Sequence, residues 1–127
     1  MQTSTDAAAL GTAFAEGLAA KDWSTLESLL GPNVDFRGMT PGQDWAASDP
    51  RGVIEVLEQW FEPHDQIERL VTSEVEPIST RHRLSYRFDV HSDRDDEDFV
   101  VEQQAYYEVD GDQISWMRVV CSGFLPR

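Results

Sequence analysis

The side chains with the greatest chemical potential sit on two strongly alternating stretches near the C-terminus. His82 precedes Leu84, Tyr86, Phe88 and Val90 at every second position, with Arg81, Arg83, Ser85, Arg87 and Asp89 between them. This period of two marks a strand and puts His82 on its apolar face. A histidine there could be a general acid or base, because its pKa lies nearest neutrality. Gln103 shares the apolar face of a second stretch with Phe99, Val101, Ala105, Tyr107 and Val109. A buried amide must find partners, either a ligand in a cavity or Tyr107 or another neighbouring-strand residue. Tyr86 and Tyr107 could donate their hydroxyls to a carbonyl or phenolate oxygen; as core aromatics they need one partner each.

The remaining candidates are weaker. Cys121 is the single cysteine, so no intrachain disulfide forms, and a reducing, cytoplasmic setting is expected. No histidine lies close in sequence, and packing is its commoner role. His64 and His91 read as loop or edge residues. The acidic run Asp93, Asp95, Asp96, Glu97 and Asp98 lacks the glycine and the final glutamate of a calcium loop and reads as a solvated hairpin tip. No zinc spacing and no glycine-rich phosphate loop is visible, so neither metal nor cofactor is expected.

These residues need a framework, and its elements follow from periodicity. Leu10, Phe14 and Leu18 form one helical stripe between about Asp6 and Ala20. Ser24-Thr25-Leu26-Glu27 fits a capping box, with Leu26, Leu29 and Leu30 behind it and Gly31-Pro32 as a stop. A short strand around Val34 and Phe36 is followed by an expected loop, Gly38 to Ser48. Asp49-Pro50 starts a helix whose buried face is Val53, Ile54, Leu57, Trp60 and Phe61. Strands follow over Ile67 to Ile78, the two alternating stretches above, and Ile114 to Gly123 after the Asp110-Gly111 hairpin signal.

Helices first and long antiparallel strands afterwards make an α+β domain, taken as one domain over residues 1–127. The last strand carries bulk on both faces: Ile114, Trp116 and Val120 on one, Met117, Val119 and Cys121 on the other. One sheet face cannot be covered by these helices, so a homodimer through the sheet is expected, the alternative being a strand that simply carries a few exposed apolar residues. There are 24 acidic residues against 10 basic ones, a net charge of −14. That field disfavours nucleic acid and anionic membrane surfaces, and no stretch is apolar for the length of a membrane span.

The run Phe14-Ala15-Glu16-Gly17-Leu18-Ala19-Ala20-Lys21-Asp22-Trp23, then Leu26 to Leu30 and Asn33-Val34-Asp35-Phe36, resembles the opening of nuclear transport factor 2-like proteins. The close, Val109-Asp110-Gly111-Asp112-Gln113-Ile114 to Arg118, resembles theirs too. The resemblance implies a cone: a strongly curved, mostly antiparallel sheet with about three helices on its concave side and a cavity at the wide end. Phe36, Trp45, Trp60, Met117 and Cys121 would line that cavity together with Tyr86, Gln103 and Tyr107. The group includes steroid isomerases, polyketide cyclases, dehydratases, epoxide hydrolases and non-catalytic domains. The isomerases' oxyanion tyrosine falls at Phe14 and their aspartate base near Gly38, and the epoxide hydrolases' Arg/Asp arrangement is not recognisable.

The expectation is therefore a pocket for a small apolar or aromatic ligand. Cofactor-free proton transfer (cyclisation, isomerisation or dehydration) would fall to His82. The alternative is a non-catalytic dimerisation or protein-interaction domain.

Overall fold

The computed structural model describes residues 6–127. Helix α1 (Ala7–Ala19) begins where Asp6 accepts the Ala8 N–H at 3.0 Å, satisfying one of the amides that a helix start leaves free. Leu10, Phe14 and Leu18 are buried as their spacing predicts. Helix α2 (Trp23–Ser28) is capped by Asp22, not by a Ser24–Glu27 box. Asp22 accepts the Thr25 amide at 3.2 Å and the Thr25 hydroxyl at 2.7 Å. That carboxylate reaches the free amides first, so Ser24 falls inside the opening turn. Between the helices Lys21 adopts φ +52°. Its ammonium donates to the Glu62 carbonyl at 2.7 Å and to that of Asp65, tying the helical hairpin to a distant turn.

Strand β1 (Leu30–Thr40) is far longer than a short strand around Phe36, and Gly31-Pro32 lies inside it. Helix α2 has already ended at Ser28. The expected loop from Gly38 is also a correction: Gly38–Thr40 complete β1, and Gln43–Ala47 form β2, antiparallel to it. Pro41-Gly42 makes the turn, with Gly42 at φ +80°. Helix α3 (Pro50–Trp60) starts as its sequence predicts, Asp49 accepting the Gly52 amide at 2.7 Å with Pro50 in the first turn.

Four long strands follow: β3 (Asp65–Ile78), β4 (Arg81–Ser92), β5 (Glu97–Asp110) and β6 (Gln113–Cys121). The spatial order is β2-β1-β6-β5-β4-β3, antiparallel throughout except for the parallel β1–β6 pair, where Phe36 stands beside Met117. Pro77 is tolerated because β3 lies at the sheet edge. Two register shifts in β3 bend it. One more, at Glu108/Val109, pairs Trp116 with Glu108 and Ile114 with Val109. Ser115 is thus an extra residue, and Ile114 turns inward with Met117, Val119 and Cys121 instead of outward with Trp116 and Val120. Strand β7 (Leu125–Pro126), not expected from the sequence, pairs with β5 beyond the end of β6.

The three helices pack on the concave face of this seven-stranded curved sheet, and the core lies between. Phe14 and Leu18 from α1, Ile54 and Leu57 from α3, and Phe36, Leu84, Tyr86, Phe88 and Val101 from the sheet are all buried there. Among the described residues no helix is long and apolar enough to cross a membrane.

Candidate functional site

At the end of the cone where β1, β6 and the C-terminal tail meet, a cleft of about 460 Å³ opens beneath α3. Its walls are Thr40, Pro41, Trp45, Gln59, Trp60, Phe61, Cys121, Ser122, Gly123, Phe124 and Leu125. No charged side chain is among them.

Local structure explains this arrangement. The β1–β2 hairpin swings Trp45 toward α3, and its indole N–H donates to the Thr40 hydroxyl at 2.8 Å. Trp60 ends α3, meeting Trp45 edge-on at 6.2 Å between ring centroids and Phe36 at 6.0 Å. Gly123, at φ +79°, reverses the chain after β6, so that Phe124 packs on Phe61 and Phe99 and β7 closes one side. Aromatic contacts continue inward from Phe61 to Phe88, Tyr86 and Phe14.

The fully buried Gln103 is the cross-strand neighbour of both Cys121 and Tyr86. Its side-chain oxygen accepts the Tyr86 hydroxyl, while its Nε2 has no partner. Burial, with a smaller push from the Cys121 thiol, holds the Tyr86 phenol well above the usual tyrosine range, so this hydroxyl stays a donor. Trp60 Nε1 is likewise buried without an acceptor. Cys121 borders the cleft at 9% exposure, its sulfur accepting the Gly123 amide at 3.3 Å.

Of the residues expected at the site, Trp45, Trp60 and Cys121 line the cleft, and Tyr86 and Gln103 form one hydrogen-bonded pair behind it. Phe36 and Met117 are buried side by side in the core, Phe36 beneath Trp60. Tyr107 belongs to another place: its hydroxyl donates to the Ala7 carbonyl at 2.7 Å. Burial is the main reason that its pKa is pushed up to about 12. His82 is half-buried and stacks on the Tyr107 ring with centroids 5.4 Å apart. It stands four positions from Tyr86 along β4, about 13 Å at strand rise, so His82–Tyr107 and Tyr86–Gln103 are two separate groups.

His64 lies 3.5 Å from the buried Asp65 carboxylate, and His91 2.8 Å from Asp98. Among the described residues no three His, Cys, Asp or Glu side chains are grouped to hold a metal.

Sequence reasoning missed Phe61, Phe124 and the tail as cleft walls. Phe61 was legible only as part of the buried face of α3. The one local hint for the tail was Gly123 followed by an aromatic residue. The two carried-over isomerase positions are occupied by core: Phe14 is fully buried, and Gly38 lies under the Trp60 ring.

Compared by sequence, the chain matches no protein-family model and no curated protein. Compared by structure, it is similar to an LEH-like epoxide hydrolase of M. tuberculosis, with 15% identity and a TM-score of 0.68 over 93% of this chain and 84% of that one. A candidate polyketide cyclase from Xanthomonas campestris pv. campestris is similar at 16% identity and a TM-score of 0.71, over 88% and 87%. So is a protein with a ketosteroid isomerase-like fold from Catenulispora acidiphila, in complex with trimethylamine, at 12% identity and a TM-score of 0.65, over 92% and 85%. Three helices on a curved, mostly antiparallel seven-stranded sheet, with similarity to these proteins over nearly the whole chain, make this the nuclear transport factor 2-like fold.

Proposed function

We propose that this chain is a small-molecule pocket protein of the polyketide-cyclase-like type, which holds an apolar, aromatic ligand in the cleft beneath α3. The observation that carries the reading is the cleft wall: Trp45, Trp60, Phe61 and Phe124 around about 460 Å³ with no charged side chain. Ligand pockets are mostly apolar and aromatic with a few placed polar groups, and aromatic walls offer large contact area.

Cofactor-free proton transfer on the bound ligand is the catalytic form of this proposal. His82 would be its acid or base, and the ligand would have to extend along β4 toward the Tyr107 end. The uncharged wall favours binding over turnover, because general acid–base catalysis needs a titratable group within hydrogen-bond reach.

The test is thermal unfolding in a panel of aromatic ketones and phenols, with alkylation of Cys121 followed in parallel. A ligand at one hundred times its dissociation constant should add about 2.7 kcal/mol and slow the modification of Cys121. A panel that moves neither would remove the reading and leave the rival, a non-catalytic interaction domain.

The outer face of the sheet supports a homodimer. Met39 and Val120 are adjacent in register and 54% and 58% exposed. Farther along β6, Trp116 lies between the Arg81 and Arg118 guanidinium groups, at 4.0 and 4.5 Å. Arg81, Arg83, Arg87 and Arg118 pair there with Glu108, Glu76, Glu102 and Asp35, so much of the charge of this face is balanced in a chain of net charge −14. It is the surface on which two copies would repel each other least. Sedimentation at micromolar concentration should give a dimer, and Val120→Asp a monomer; a monomeric parent protein ends the proposal. With its single cysteine, we place the protein in a reducing, cytoplasmic compartment.

A further inference from the structure

The chain changes character just after β6. Ser122 is fixed to β5 twice: its amide donates to the Glu102 carbonyl at 2.8 Å, and its hydroxyl accepts the Glu102 amide at 2.9 Å. Gly123 follows at φ +79°, a conformation that glycine adopts without strain. Beyond it the segment 124–127 is held lightly. Its pairing with β5 covers two positions, Leu125 beside Val100 and Pro126 beside Phe99, and proline has no amide to donate.

The segment is gripped at its two ends, on opposite faces of the sheet. Phe124 turns inward as a wall of the cleft, its ring 6.0 Å from Phe61 and 5.6 Å from Phe99. Arg127 reaches the outer side. Its amide donates to the Asp98 carbonyl at 3.1 Å, and its guanidinium meets Asp89 at 3.2 Å, Glu68 at 3.3 Å and Asp98 at 3.5 Å. These carboxylates stand on three adjacent strands; Arg69 lies 3.6 Å from Asp89, and the His91 ring 2.8 Å from Asp98. Like charges so placed repel one another, and Arg127 bridges all three.

We infer that residues 124–127 form a hinged gate on the cleft, pivoting at Gly123 and latched from outside the cleft by Arg127 on Glu68, Asp89 and Asp98. Lifting it takes Phe124 and Leu125 out of the cleft wall and opens the way to Cys121, whose sulfur accepts the hinge amide of Gly123 at 3.3 Å. As a gate it rests on the small-molecule reading; the hinge motion stands apart from that reading. Local opening costs little where few apolar contacts and little pairing are broken. Ion pairs between half-exposed groups weaken as salt screens them, whereas the uncharged cleft wall gives its own packing no such dependence.

The test needs no ligand. Cys121 is the single thiol, and its alkylation by iodoacetamide, a neutral reagent, reports the open gate. At fixed pH the rate should rise about fivefold between low and molar sodium chloride, as the latch is screened. Arg127→Gln should react about fivefold faster than the parent at low salt, the weight of a good surface ion pair, and lose the salt response. Phe124→Ala should also react faster but keep that response, because the latch is intact. In amide exchange, residue 127 should exchange faster than Ser122, with the break at Gly123.

A rate indifferent to both salt and Arg127→Gln, or a Ser122 amide that exchanges together with residue 127, would overturn the gate and leave the pocket reading to the ligand panel. A responsive hinge in a protein that binds nothing from that panel would uphold the motion and overturn the pocket reading alone.

Discussion

The Trp60 ring fills the space that a side chain at residue 38 would need: a Cβ on Gly38 would stand 2.5 Å from both Cζ2 and Cη2 of that ring. The contact couples β1 to the last turn of α3 and sets one wall of the cleft. Gly38→Ala should therefore displace Trp60 and cost about 1–3 kcal/mol, the usual range for overpacking a filled core. Urea unfolding gives the loss, and a blue- or red-shifted tryptophan emission reports the displaced ring. An unchanged midpoint would mean that the ring moves aside freely.

Tyr107 and Gly11 form a second close pair. A Cβ on Gly11 would lie 2.5 Å from the Tyr107 oxygen, the same hydroxyl that bonds to Ala7. Tyr107→Phe should cost about 0.5–1.5 kcal/mol for the lost hydrogen bond. Gly11→Ala should be costly in the parent protein and less so when combined with Tyr107→Phe, where the nearest crowding atom is gone and ring carbons at 2.9 and 3.0 Å remain. A double-mutant cycle by denaturant unfolding measures this coupling, and strict additivity would disprove the contact. Spectrophotometric titration should also find one tyrosine ionising near 12, absent in Tyr107→Phe.

The β4–β5 hairpin should carry a pH-dependent tie. Asp98 accepts from the His91 ring at 2.8 Å, and this bond is the main cause of a raised His91 pKa and of a lowered Asp98 pKa. A histidine raised on folding contributes fully below its unfolded value and loses its contribution as pH rises through the folded one. A depressed carboxylate contributes above its unfolded value and loses that as pH falls through its folded one. The tie is thus strongest between the carboxylate and histidine ranges. Proton resonances of His91 should titrate above 6.5, the ordinary histidine value, and Asp98→Asn should bring the midpoint down. A midpoint unchanged by that substitution would refute the pairing.

The start of α3 should depend on one oxygen. Asp49 caps it through the Gly52 amide at 2.7 Å. Asp49→Ala should cost about 1 kcal/mol and Asp49→Asn a few tenths, since asparagine caps nearly as well. Because α3 delivers Trp60 to the cleft, the alanine variant should also weaken any ligand found there. Equal stability of the two variants, measured by urea unfolding, would remove the cap from the account.

Where the determinants are local, the chain is readable without coordinates. The period of two from His82 to Val90 and from Phe99 to Val109 is the pleat itself, and β4 and β5 follow it. Asp49-Pro50 and Asp110-Gly111 are backbone chemistry confined to adjacent residues, and α3 and the β5–β6 turn begin there. The fold class follows from that order of elements. What periodicity cannot report is which strand lies beside which, or where a buried polar atom finds its partner. The Gln43–Ala47 strand, the inward turn of Ile114 at a bulge and the β7 tail all depend on pairing with residues distant in sequence. The same holds for the candidate site. Tyr86, Gln103 and Cys121 share a sheet face by alternation, but only the packed structure sends the Tyr107 hydroxyl to Ala7, brings Phe124 back against Phe61 and leaves Trp60 and Gln103 with free N–H groups. Hydrogen bonding and ring packing are satisfied in three dimensions between elements, and no single segment encodes them alone.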